Sequence, residues 1–160
     1  YGYSAEENTL YLTALKCATY PNPQADKEHH QFSYAIYPHA GSFKQAGVVK
    51  EAALFNSPFQ VREVKKQTGK LPEAYSLVTT EAENIVIDTL KKAEEGEAYV
   101  LRLYECFDRR GKVTLTFGFE AARVFLCNML EEEERLLDEN CEKLTLPVKN
   151  YEIVTLKIYR

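Results

Sequence analysis

Residues 112–119 alternate more cleanly than any other stretch of the chain. Val113, Leu115, Phe117 and Phe119 fall on one side, and Lys112, Thr114, Thr116 and Gly118 on the other. Successive side chains on a strand point to opposite faces, so such a run has one covered face and one wet face. Tyr99 to Phe107 forms the preceding arm of a hairpin, closed across Asp108-Arg109-Arg110-Gly111, with Gly111 free to take positive φ. This pattern commits the chain to antiparallel sheet.

The remainder extends that commitment. Asn8 to Lys16 alternates with apolar residues on both faces, Leu10, Leu12 and Ala14 opposite Tyr11, Thr13 and Leu15. A strand of that kind needs a layer on each side. Thr19 to Asp26 is a loop, because Pro21 and Pro23 exclude both helix and ladder. Phe32 to Tyr37 alternates and stops at Pro38, which has no N–H to donate. Phe43, Ala46, Gly47, Val49, Lys50, Ala53 and Leu54 recur at three- and four-residue spacing. They predict one amphipathic helix from Ser42, its N-cap, to Phe55.

Residues 59–73 read as an exposed polar excursion. Tyr75 to Thr79, Ile85 to Lys92, Ala122 to Met129, Lys143 to Val148 and Tyr151 to Tyr159 read as further strands, with Glu131 to Glu134 and Asp138 to Glu142 an acidic connection. The β-branched Ile85, Val86, Ile87 and Thr89 favour strand over helix at 85–92. The expected fold is all-β: an antiparallel β-sandwich of about nine strands with one short helix.

A chain of 160 residues is one domain by size, and folding at this length hides roughly 70% of the open chain's surface. Its net charge of −4 argues against nucleic acid, whose binders carry a basic face. No run reaches the ~20 apolar residues that span a membrane. The chain opens at Tyr1 directly on a strand-like pattern, which predicts a polypeptide continuing upstream. Cys17, Cys106, Cys127 and Cys141 show no zinc-knuckle spacing, and Asn-x-Ser/Thr does not occur. Both features fit free thiols in a reducing, cytoplasmic setting.

Candidate chemistry is sparse. Alternation places Glu105 on the face of Leu101, Leu103 and Phe107, and a carboxylate facing a core must be paired or protonated. A strand-end Glu that meets solvent or a structural Arg is the simpler reading. Adjacent His29 and His30 point to opposite faces of an extended chain, and His39 has no Cys or Asp at a ligand-like offset, so no metal site is expected. Glu131 to Glu134 lacks the Asp/Asn-and-Gly loop of a calcium site. Cys106 and Cys127 have no identifiable basic neighbour and read as small buried hydrophobes. The chain has 11 Tyr and 8 Phe but no Trp, the usual platform for stacking a sugar ring.

Four pieces, in order and spacing, carry a resemblance. They are Tyr1-Gly2-Tyr3-Ser4 with Leu10, Leu12 and Leu15; Tyr34-Ala35-Ile36-Tyr37-Pro38-His39 with Gly41-Ser42-Phe43, Ala46-Gly47-Val48 and Glu51-Ala52; Lys91-Lys92-Ala93-Glu94 with Leu101-Arg102-Leu103-Tyr104-Glu105; and Tyr151 to Lys157. Together they resemble the C-terminal region of glycoside hydrolase family 38, the retaining α-mannosidases, and most closely the cytosolic and bacterial class.

The resemblance implies that residues 1–160 are a single C-terminal β-sandwich domain of a longer enzyme acting on mannose-containing oligosaccharides. The catalytic Asp and the zinc ligands of the family lie in its N-terminal α/β domain, and no part of this chain matches them. It therefore implies no catalytic residue, no metal ligand and no cofactor here, with zinc belonging to the parent enzyme. The implied partners are the N-terminal catalytic domain of the same chain and the oligosaccharide, not nucleic acid or membrane. By resemblance the loop leading into Tyr1-Gly2-Tyr3-Ser4 comes near the active site, which makes Tyr1 and Tyr3 the candidate substrate-binding residues; a cut strand end is the simpler reading. The alternatives are a carbohydrate-binding β-sandwich module, and an immunoglobulin-like interaction domain, which would usually carry Cys…Trp…Cys.

Overall fold

The alternation read at 112–119 runs on as one strand, Gly111–Cys127, through the segment expected to be a separate strand from Ala122. A computed structural model describes residues 2–66, 68–70 and 72–160. Among them the strands are β1 (Gly2–Glu6), β2 (Thr9–Thr13), β3 (Val78–Thr80), β4 (Ile85–Lys92), β5 (Tyr99–Glu105), β6 (Gly111–Cys127), β7 (Glu133–Val148) and β8 (Ile153–Tyr159). Helix α1 (Val48–Asn56) lies between β2 and β3 in the chain. The fold is all-β and antiparallel with one short helix, as predicted, with eight strands rather than about nine.

The chain divides into two compact units, Tyr1–Pro38 and His39–Arg160. In the first, β1 and β2 form an antiparallel hairpin with Glu6 opposite Thr9. Glu7 and Asn8 make its two-residue turn, both at positive φ (46° and 64°), as a type I′ hairpin turn requires. Every residue of both strands is exposed. Phe32 to Tyr37 forms no strand: its alternation is real, but no ladder partner for it exists among the described residues.

In the second unit six strands form one sheet in the order β3-β6-β8-β5-β4, with β7 also on β6. β6 and β7 are long enough to fold this sheet over on itself. The first half of β6 pairs with β3 and with residues 143–148 of β7; its second half pairs with β8 and with residues 133–141 of β7. The β6–β7 ladder is interrupted between Thr116 and Ala121, where the strand turns from one layer into the other.

Gly118 sits in that interruption because the chain there has no room for a side chain. A Cβ at this position would run into the carbonyl oxygen of Ser76 and lie 3.0 Å from the Tyr75 ring. Tyr75 Oη donates to the Gly118 carbonyl at 2.6 Å, and the Gly118 N–H donates to Leu77 at 2.9 Å. The corner is thus pinned to the segment entering β3.

The core fills the space between the layers. Val113, Leu115, Leu144 and Leu146 face Leu101, Leu103, Val124, Leu156 and Ile158 in one buried cluster. Each such side chain, fully buried, contributes about 1.5–3 kcal/mol.

The helix is shorter than the periodicity predicts. Ser42 does make its capping interactions: the Gln45 N–H donates to Ser42 Oγ at 3.3 Å, and the Ser42 N–H donates back to Gln45 Oε1 at 3.0 Å. That reciprocal pair closes only a turn. Gly47, at φ 65°, interrupts the path, and α1 starts afresh at Val48 without a side-chain cap. No residue of α1 is buried.

Candidate functional site

Alternation along β5 turns Glu105 inward, and the residue is 2% exposed. Oε1 accepts hydrogen bonds from Asn84 Nδ2 at 3.0 Å and the Phe107 N–H at 2.8 Å, and Oε2 accepts the Tyr151 N–H at 2.9 Å. The donors come from the β3–β4, β5–β6 and β7–β8 connections. Asn150 reinforces the last two, donating from Nδ2 to Asp108 Oδ1 at 2.7 Å. β5 and β6 do not pair as the expected hairpin, because β8 lies between them in the sheet; in their connection it is Asp108, at φ 60°, and not Gly111 that takes the left-handed position.

Burial by itself would push the Glu105 carboxyl up. The Tyr151 N–H, the Asn84 amide, and the Phe107 and Arg109 N–H groups outweigh it and bring it to about 2. The expected partner, solvent or an Arg side chain, is replaced by neutral N–H donors. A general acid needs a pKa near its working pH; Glu105 is instead a fixed carboxylate that ties three loops together at one end of the sheet.

A second buried acid, Glu131, falls in the stretch read as a solvated connection. Its Oε1 lies 2.8 Å from Lys91 Nζ and 4.0 Å from Arg102 Nη2, and its Oε2 accepts the Glu94 N–H at 2.9 Å. The hydrogen bond from Lys91 holds the Glu131 carboxyl below its usual range, and Glu131 in turn raises Lys91. Arg102 donates to the Met129 carbonyl at 2.9 Å, while its Nε is buried without a partner. A retaining glycosidase needs two carboxyl groups about 5 Å apart, one of them able to deliver a proton. Glu105 and Glu131 are held by separate sets of donors, and both are driven toward the ionised form.

The other expected residues are scattered. Tyr1 lies outside the described residues. Tyr3 stands on β1 opposite Leu12, 86% exposed. His30 Nε2 donates to the Asp26 carbonyl at 2.9 Å, and His39 Nδ1 reaches the Ala40 carbonyl at 3.4 Å. Cys106 and Cys127 do have lysines within electrostatic reach, Lys44 and Lys157, but burial dominates and pushes both thiols up. Neither is an activated nucleophile, which requires a lowered pKa. Among the described residues no three His, Cys, Asp or Glu side chains converge on a metal position.

Sequence reasoning missed Lys91, Arg102 and Glu131 as a cluster. The one usable signal was Arg102 in the middle of a strand with buried neighbours, since a charge there demands a partner.

Residues 84–156, spanning β4 to most of β8, match the glycosyl hydrolases family 38 C-terminal beta sandwich domain. The chain is 32% identical to Alpha-mannosidase G of Dictyostelium discoideum over 165 residues, covering 98% of this chain and 15% of that protein. It is 32% identical to Alpha-mannosidase 2C1 of Mus musculus, over 91% of this chain and 14% of that protein. An Alpha-mannosidase of Saccharomyces cerevisiae is 24% identical over 99% of this chain and 16% of its own length. The chain spans about 15% of the length of these relatives. With its folded antiparallel sheet over the matched residues, this chain belongs to glycoside hydrolase family 38, as the C-terminal β-sandwich region of that family.

Proposed function

We propose that this chain is the non-catalytic C-terminal β-domain of a retaining, zinc-dependent, cytoplasmic α-mannosidase acting on mannose-containing oligosaccharides. It packs against the catalytic α/β domain and shapes one wall of the cleft. The nucleophile, the zinc and its ligands belong to the remainder of that enzyme. The observation that carries this reading is similarity along nearly the whole chain to proteins named α-mannosidases, each several times longer.

Exposed apolar surface supports the packing role. A lone two-stranded hairpin is marginal in water, yet β1 and β2 expose Leu10, Tyr11 and Leu12. Helix α1 likewise has no fully buried residue. Such surface in a monomer marks an interaction site, and the catalytic domain is the partner that covers it.

The test replaces the matching region of Alpha-mannosidase G with this chain. Zinc-dependent mannoside hydrolysis is expected to survive the exchange and to be lost when the region is deleted. The chain by itself is expected to release no mannose from an α-mannoside and to show no saturable binding of mannose oligosaccharides. Mannose release by the pure chain, or full activity of the deletion, overturns the proposal. Saturable oligosaccharide binding by the pure chain would favour a carbohydrate-binding module instead.

A further inference from the structure

A cavity of about 460 Å³ opens between the two layers of the folded sheet. Its walls come from both layers: Leu126, Leu137 and Val154 from one, Leu146 and Val148 from the other. Leu146, Val148 and Val154 are buried core residues, so the cavity is a continuation of the core that reaches the surface. Its size lies within the range of small-molecule sites, about 300–1,000 Å³.

The rim has a different character. Arg110, Arg135 and Lys149 stand around it, with one carboxylate, Glu152. Glu152 accepts the Lys149 N–H at 2.6 Å through Oε2 and keeps its charge, so the rim stays net positive through the three cations. Among the described residues the side chains of Arg110, Arg135 and Lys149 have no carboxylate within ion-pair distance, although the chain as a whole carries a net charge of −4. Cations without partners around an apolar cavity complement one kind of occupant: an apolar body bearing an acidic head.

We propose that this cavity binds a small amphiphilic carboxylate. The alkyl portion lies against Leu126, Leu137 and Val154, and the head lies between Arg110 and Arg135, whose planar guanidinium groups suit a carboxylate. Nucleic acid and long polyanions do not fit, because the cations ring an apolar cavity rather than forming a stripe. The inference stands apart from the mannosidase reading, since none of these residues is placed near the glycan.

The test is calorimetric titration of the 160-residue chain with decanoate below its micellar concentration, beside decanol and acetate as tail-only and head-only controls. Decanoate is expected to bind with one-to-one stoichiometry, decanol about tenfold more weakly for want of the charge-assisted bonds, and acetate without saturation. The double variant R110Q/R135Q alters only exposed side chains, and is expected to lose that tenfold for decanoate while leaving decanol unchanged. Leu137→Trp, which fills the cavity, is expected to abolish binding of both. Equal binding of decanoate and decanol, unchanged decanoate affinity in R110Q/R135Q, or no saturable binding overturns the proposal.

Discussion

The carboxylate of Glu105 accepts the backbone N–H of Tyr151, 46 residues later in the chain, at 2.9 Å. Tyr151 sits at φ 52°, a conformation that a bulky residue adopts only when its surroundings enforce it. Glu105 therefore holds the β7–β8 turn as well as its own loop. Glu105→Gln places an amide N–H₂ against donors that need an acceptor. It is expected to cost about 3 kcal/mol, the order of a buried charge-assisted bond lost with its partners left unpaired. Urea denaturation at pH 7 measures this, and a loss under about 0.5 kcal/mol, that of an ordinary surface change, would contradict it.

The same carboxylate makes stability depend on pH in a defined window. Its pKa falls from 4.5 in the open chain to about 2 in the folded one. The folded state therefore binds fewer protons in that interval. Its contribution is complete above about pH 4.5 and is lost as the pH drops toward 2, amounting to about 3 kcal/mol. The stability difference between the native chain and Glu105→Gln should shrink steadily from pH 5 to pH 2. A difference constant across that range would remove Glu105 from the acid response.

Gly118→Ala tests the corner. The added methyl meets the Ser76 carbonyl and the Tyr75 ring, and a backbone oxygen yields less readily than a side-chain tip. A loss of about 2 kcal/mol or more is expected, read as a lower midpoint in thermal unfolding. A neutral result would mean that the β3 entry shifts without cost.

Leu101 and Leu156 are paired across β5 and β8, both 0% exposed. Leu156→Ala is expected to cost about 2–5 kcal/mol. Leu136, 44% exposed on β7, is expected to tolerate the same change within about 0.5 kcal/mol. Equal losses at the two positions would show that the outer face of β7 is covered in solution.

Tyr3 is a glycan contact that the family resemblance implies. In an α-mannosidase containing this chain, Tyr3→Phe removes one hydroxyl from an exposed side chain. It is expected to raise KM for an α-mannoside about fivefold, the worth of one neutral hydrogen bond, without lowering the unfolding temperature. Unchanged kinetics removes Tyr3 from the site.

What the sequence made legible follows from how water sorts side chains. β4, β5, the first half of β6, and β8 each place alternate residues in a shared core, so their period shows. The first half of β7 is almost wholly exposed, and its run of Glu, Asp and Asn reads as a connection. Its partner on β6 supplies the ladder, and a ladder leaves no mark on composition. Ala122 to Met129 was separable from residues 112–119 only because Gly118 and Glu120 break the alternation; in space they are the bend of a single strand. The Glu105 knot was half legible: its inward direction follows from the period of β5, but its donors, Asn84 and Tyr151, arrive from remote loops. Glu131 was hidden, because nothing local separates it from its three acidic neighbours.

Since β6 and β7 each cross from one layer to the other, the sandwich has a continuous covalent seam where most sandwiches have two sheets joined by loops. Peeling one layer away would require bending both strands straight and opening the ladder between them. Heat or denaturant should therefore find no half-melted stage in the His39–Arg160 unit, and force applied along β6 would load both layers at once.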